Sequence, residues 1–170
     1  MTWSAEFLTE RTSCIVSCMV AVGDRFPSFR LTDHNGEEFL SSKLDERWFL
    51  LYWYPRADTP GCTAQALGLR DQIESFEDIG CVVLGASFDE PADNRAFREK
   101  YALPFDLLSD EDQQLAEQLG VIDEGTVGGY PRRIAHLVDA SGNVRKRYDV
   151  EDPEFFAERV LDDLEAAIDL

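Results

Sequence analysis

Two stretches of the chain are apolar on both parities, and the remainder alternates or recurs at helical spacing. Trp48–Tyr54 (WFLLYWY) has the pattern of a strand buried on both faces of a sheet, and Cys81–Phe88 (CVVLGASF) repeats it. Between them, Cys62–Phe76 carries Leu67, Ile73 and Phe76 at helical spacing, with Leu69 off the main stripe, which predicts a helix. Upstream, Phe29–Asp33 and Glu38–Ser41 are short extended runs around His34-Asn35-Gly36, and Asn-Gly marks a hairpin. Downstream, Pro91–Tyr101 reads as a helix and Phe105–Leu108 as a short strand after Pro104. Glu111–Leu119 reads as a helix stopped by Gly120. Asp123–Pro131 is predicted to be a loop whose glycines serve turns. Ile134–Val138 and Val144–Tyr148 form a second hairpin around Ala140–Asn143. Asp152–Ile168 closes the chain as an amphipathic helix, with Phe155, Phe156, Val160, Leu161, Leu164 and Ile168 on its buried side.

Strands alternating with helices, then a hairpin and a helix, predict an α/β fold with a sheet covered on both faces. The β-α-β crossover from Trp48 through Ser87 is expected to be parallel. A chain of 170 residues, 44% of them hydrophobic, is most simply one globular domain. That domain is expected to span residues 19–170, because residues 1–18 (MTWSAEFLTERTSCIVSC) fit none of these patterns. Glu6 and Glu10 precede a short apolar stretch there, which argues against a signal peptide. The segment reads as a loosely ordered extension or as the product of an upstream start codon.

Charge and cysteine usage narrow the partners. With 34 acidic and 16 basic side chains, the formal net charge is −18, which repels phosphate backbones and anionic lipid surfaces; neither nucleic acid nor membrane is expected as a partner. No apolar run approaches the ~20 residues of a membrane span. Four cysteines at irregular spacing make no disulfide framework, and without a C-x-x-C, and with His34 and His136 isolated, they make no zinc site either. A reducing cytoplasm is the expected setting.

The candidate chemistry lies where the first buried strand ends. The run stops at Pro55, a polar turn follows, and a helical pattern opens at or beside Cys62. The unpaired N–H groups and the positive dipole end of a helix's first turn favour a thiolate over a thiol. Here the chain resembles a known family. Pro55-x-x-x-Thr59-x-x-Cys62 is similar to the peroxiredoxin active-site motif. Thr59-Pro60-Gly61-Cys62-Thr63 followed by Gly68-Leu69-Arg70-Asp71 resembles the bacterioferritin comigratory protein (Q-type) subgroup. The likeness runs from about Val20 to the C-terminal helix. It takes in Val22-Gly23-Asp24, Leu103-Pro104-Phe105, Leu107-Leu108-Ser109-Asp110, and Arg133 leading into His136-Leu137-Val138-Asp139.

The resemblance implies a thioredoxin-like fold, with a mixed central sheet, helices on both faces and an N-terminal β-hairpin. It implies an antioxidant thiol peroxidase that needs no cofactor or metal and reduces hydrogen peroxide and organic hydroperoxides through a sulfenic acid on Cys62. Arg133 matches the family's active-site arginine and would supply a fixed charge and a planar donor fork; its neighbour Arg132 is expected at the surface. Thr59 would offer a hydroxyl to the peroxide oxygens, while Pro55 and Pro60 would shape the turn and shield the sulfur.

The chain departs from the pattern in two respects. Many relatives carry a resolving cysteine five residues after the peroxidatic one, and here that position is Leu67. Cys81 is expected to begin the neighbouring parallel strand at the far edge of the sheet, roughly 20 Å from Cys62 at ~3.3 Å per residue, beyond disulfide reach. Cys14 and Cys18 could pair with each other or with Cys62 in trans. The expectation is a one-cysteine cycle completed by thioredoxin or another external thiol, in a monomer or a dimer. His136 stands where the subgroup usually has a bulky apolar side chain, and is expected to be a structural histidine. Two other readings, a thioredoxin-like thiol–disulfide exchange enzyme and a binding domain without peroxidase turnover, are weakened by the absence of C-x-x-C and by the joint presence of Pro55, Thr59, Cys62 and Arg133.

Overall fold

The computed structural model describes residues 20–123, 125 and 129–168. The expected extension, residues 1–18 with Cys14 and Cys18, lies outside them. Seven strands form one sheet in the order β2-β1-β5-β4-β3-β8-β9: β1 Arg30–Asp33, β2 Glu38–Leu40, β3 Trp48–Trp53, β4 Cys81–Ser87, β5 Asp106–Ser109, β8 Ile134–Val138 and β9 Val144–Asp149. The central β3, β4 and β5 are parallel, and β1, β8 and β9 join antiparallel to their neighbours, so the sheet is mixed as expected.

β3 shows why its run is apolar throughout. Leu50 and Tyr52, continued by Tyr54, face one core, with α1 (Pro60–Asp71), α2 (Ile73–Ile79), α3 (Pro91–Lys100) and α5 (Phe156–Ile168) contributing Leu69, Phe76, Phe97 and Val160. Phe49, Leu51 and Trp53 face the other, closed by Phe26, Phe29 and α4 (Gln114–Leu119). The two hairpins share one device. Asp33 Oδ1 accepts from the N–H groups of Asn35 and Glu37, and Asp139 Oδ1 does the same for Ser141 and Asn143. In each turn only the glycine, Gly36 or Gly142, takes a positive φ (+80° and +86°). The first turn is therefore built by Asp33-x-x-Gly36, and not by two left-handed residues at Asn35-Gly36.

Three expectations are corrected. The helix predicted over Cys62–Phe76 begins two residues earlier, at Pro60, and breaks at Gln72 (φ −105°, ψ 7°) into α1 and α2. Leu69, expected off the apolar stripe, is fully buried on it, while Leu67 is only half-buried; Ala66, Leu69, Ile73 and Phe76 stay in helical phase across the break, so the apolar pattern carries no trace of it. The predicted Asp123–Pro131 loop is bounded by a two-residue antiparallel ladder, β6 (Ile122–Asp123) with β7 (Tyr130–Pro131), too short to show periodicity. The last helix starts at Phe156, after a 3-10 turn over Pro153–Phe155 whose different angular step turns Phe155 outward; Phe155 is 62% exposed and Ile168 43%.

Candidate active site

Cys62 is the third residue of α1. Thr59 is the N-cap residue, in extended conformation (φ −93°, ψ 156°), and Pro60 opens the helix, where its missing N–H costs nothing. The first intrahelical bond runs from Thr63 N–H to Thr59 O (2.8 Å), so the N–H groups of Gly61 and Cys62 precede the ladder and point out of the helix start. The cysteine is 1% exposed.

Arg133 reaches this turn from the other side of the sheet's antiparallel half. It immediately precedes β8, which pairs with β3 (Tyr52 opposite Ala135), so the register of those strands carries residue 133 to the end of β3 from which α1 departs. Its Nη1 lies 3.6 Å from Cys62 Sγ and donates to Gln65 Oε1 at 3.1 Å. Arg132 instead points to solvent, with Nη2 3.6 Å from Asp149 Oδ1. Gly61 makes the approach of Arg133 possible: a Cβ there would stand 2.8 Å from Arg133 Nη2. Thr59 does not cap the helix with its side chain; its hydroxyl donates to Arg56 O (2.9 Å), so its oxygen is left as an acceptor. Pro55, half-buried, begins the turn that leads from β3 to Thr59.

The sulfur thus lies at a helix N-terminus with a guanidinium 3.6 Å away. The profile of the AhpC/TSA family matches residues 22–147. Peroxiredoxin Bcp of Escherichia coli (strain K12) is 43% identical over 131 residues, which is 75% of this chain and 84% of the relative. The chain belongs to the peroxiredoxins. Chloroplastic peroxiredoxin Q of Populus jackii is 40% identical over 126 residues, 74% of this chain and 59% of the relative. Among solved structures, peroxidoxin BcpB from Mycobacterium tuberculosis superposes with a TM-score of 0.80 at 30% identity, over 86% of this chain and 97% of that one. A cysteine-to-serine mutant of Xylella fastidiosa PrxQ superposes with a TM-score of 0.82 at 26% identity, over 88% and 98%. The fold is the thioredoxin-like fold of these peroxiredoxins, and the activity is that of a thiol-dependent peroxidase, with a peroxide as substrate and a thiol as reductant.

Two residues of this peroxiredoxin's site are not marked by the motif. Gln65 lies one helical turn beyond Cys62 and is fully buried; its Oε1 holds Arg133 while its Nε2 has no partner among the described residues. Only its spacing of three from the nucleophile, on the same helix face, could have singled it out. Tyr52 is the other. Its buried hydroxyl has no hydrogen bond among the described residues, and burial, reinforced by Tyr54 and Cys62, pushes its phenol well above the usual value, so it stays protonated.

The remaining described cysteine sits apart. Cys81 pairs with Trp48 at the start of β3, whereas Cys62 lies beyond that strand's last residue, Trp53. Six residues at ~3.3 Å each separate the two ends by about 20 Å. Burial pushes the Cys81 thiol up to about 12, the opposite of what a nucleophile requires. Among the described residues, no helix is long and apolar enough to cross a membrane.

Proposed function

We propose that Cys62 is the peroxidatic residue of a one-cysteine cycle, and that Arg133, Thr59 and Pro55 build its site. The observation that carries this reading is the guanidinium 3.6 Å from a thiol in the first turn of α1. In the first half-reaction the Cys62 thiolate attacks the terminal oxygen of the peroxide. An S–O bond forms and the O–O bond breaks. Sulfur loses two electrons and becomes a sulfenic acid, and the departing oxygen takes a proton and leaves as water or an alcohol. Arg133 stabilises the thiolate and then the charge that develops on the leaving oxygen, while Thr59 accepts from the peroxide O–H. Pro55 restricts the turn that brings Thr59 and Cys62 together.

In the second half-reaction an external thiol attacks the sulfenic sulfur and releases water. The resulting mixed disulfide is cleaved by a second thiol of the reductant, which returns Cys62 to its reduced form. Thioredoxin is the proposed reductant and a cytoplasmic monomer the proposed working unit. Leu67 in α1 and the position of Cys81 support external resolution.

The test is peroxide consumption in the presence of thioredoxin, thioredoxin reductase and NADPH. Cys62→Ser abolishes turnover, and loss of Cys14, Cys18 and Cys81 together leaves it largely intact. After one equivalent of peroxide, mass spectrometry finds one added oxygen, trapped by dimedone. A loss of two hydrogens in its place would mean an internal disulfide and end the one-cysteine reading.

A further inference from the structure

β4 outruns its neighbour on one side. β3 pairs with it along the whole run from Cys81 to Ala86, but β5 pairs only from Leu84 to Ser87. The chain ahead of β5 bends at Phe105, and Pro104 before it has no N–H to give to a ladder. Cys81, Val82 and Val83 therefore have no strand opposite them on that side, and no turn or loop gives them a main-chain bond among the described residues. The wedge left open is a cavity of about 510 Å³, a size that suits a small ligand. Val83 and Phe105 from one core line it together with Val82 and Leu84 from the other, as a notch in the edge of a strand requires.

Opposite charges stand at the two ends of this notch. Trp48 pairs with Cys81, so the exposed Arg47 stands level with Gly80 at the open end. Its guanidinium has no hydrogen bond or ion pair among the described residues, although the chain carries a formal net charge of −18. Asp106 pairs with Leu84 at the closed end; its side chain is 44% exposed, and His34 Nδ1 comes no nearer to it than 3.9 Å. From Gly80 to Leu84 is four residue steps, about 13 Å at ~3.3 Å each. An extended tripeptide spans about 10 Å between its ammonium and its carboxylate, which brings both ends within reach of these two side chains. Between them the lining is apolar, with Ile73 from α2 and Phe105 beside the edge, and Glu77 of α2 adds a second carboxylate.

We propose that this notch binds a short zwitterionic peptide, a tripeptide by its span, laid antiparallel along the open edge of β4 with its carboxylate on Arg47 and its ammonium on Asp106. The edge supplies main-chain hydrogen bonds and the apolar lining takes a hydrophobic side chain, the two components of strand addition. The occupant is a free peptide because only a free peptide carries both end charges at this separation. A protein's C-terminal tail has no ammonium to give Asp106, and a second copy of this chain brings a further charge of −18. The notch lies at the Cys81 end of β4, about 20 Å from Cys62 by strand length, so its ligand is neither the peroxide nor the reducing thiol.

The test is an NMR titration of the isotope-labelled full chain, read at its amide shifts. The ligands are leucyl-alanyl-leucine and the same peptide N-acetylated, C-amidated or capped at both ends. The free peptide is expected to give saturable shifts concentrated at Cys81–Leu84 and Phe105–Asp106. Each single cap is expected to weaken binding by about 3- to 5-fold, the range for one exposed ion pair. Arg47→Gln, an exposed change that leaves the urea midpoint within error of the parent's, is expected to bind the free and amidated peptides equally. The caps alter the ligand alone, so they read both contacts without disturbing the fold. Three results would overturn the site: no saturation at millimolar peptide, shifts confined to other parts of the chain, or a doubly capped peptide that binds as tightly as the free one. An acetylated peptide that matched the free one, while amidation weakened binding, would make the occupant a C-terminal tail and end the free-peptide proposal.

Discussion

His136 should make this protein acid-sensitive, and the structure sets the size of the effect. The ring is fully buried, packs edge-on against Phe26 at 5.7 Å, and has no hydrogen bond at either nitrogen among the described residues. Burial, aided by the Arg147 cation and opposed by Asp149, lowers its pKa from 6.5 to about 4. The unfolded chain therefore binds a proton below pH 6.5 that the folded chain refuses. Stability is complete above about pH 7, falls as the pH drops through 6.5, and stops falling below about 4. A shift of about 2.5 at 1.36 kcal/mol each is about 3 kcal/mol in full, of which about 2 kcal/mol is lost by pH 5. His136→Leu removes the proton site together with two unsatisfied nitrogens, so it should gain about 1 kcal/mol or more at pH 8. Its advantage should widen by about 2 kcal/mol between pH 8 and pH 5. Urea unfolding followed by the fluorescence of the buried Trp53, with reductant present, measures both. Asp110, whose carboxyl is raised to about 6 by burial, pulls the opposite way below pH 6, as an acid that prefers to be neutral when folded. His34, lowered by burial, adds a smaller term of the same sign as His136. Both are present in either protein and cancel in the difference. A gap between variant and parent that stays constant from pH 8 to pH 5 would refute the reasoning.

Three further outcomes follow from the site. Gly61→Ala should leave urea stability near the parent's, because alanine suits a helix, but it should slow oxidation by on the order of 10-fold or more as the new Cβ displaces Arg133; an unchanged rate would mean that the guanidinium contact is idle. Arg133→Lys keeps a charge but loses the planar fork that spans Cys62 and Gln65, and should cost about 10²-fold in single-turnover oxidation by hydrogen peroxide. Asn94→Ala strands Tyr54 OH and Ser109 Oγ in the core and should lower unfolding free energy by about 2–4 kcal/mol, read as a drop in the urea midpoint.

Local physics was legible in the chain. A run apolar on both parities can only be a strand buried twice, and β3 is that strand, with Leu50 and Tyr52 on one core and Leu51 and Trp53 on the other. A proline-bounded turn opening on Cys62 and the two hairpin turns are likewise chemistry of neighbouring residues and stand where the pattern put them, although the first hairpin is closed by Asp33-x-x-Gly36 where Asn-Gly was the signal read. What lay beyond the sequence is whatever depends on partners distant along it. The break at Gln72 leaves the apolar phase intact, and the outward turn of Phe155 depends on a switch from 3-10 to α geometry that a hydrophobic stripe does not encode. Gln65 looks like any polar helix residue until Arg133, 68 positions later, lies against it. Gly61 looks like a turn glycine until the same guanidinium occupies the space of its missing Cβ. Asp58 looks like a surface acid until the end of α3, more than 40 residues on, closes over it. Periodicity and turn chemistry are written in adjacent residues. Which side chains meet around Cys62 is decided by strand register, β8 beside β3 and β4 beside β5, and register exists only once the sheet has formed.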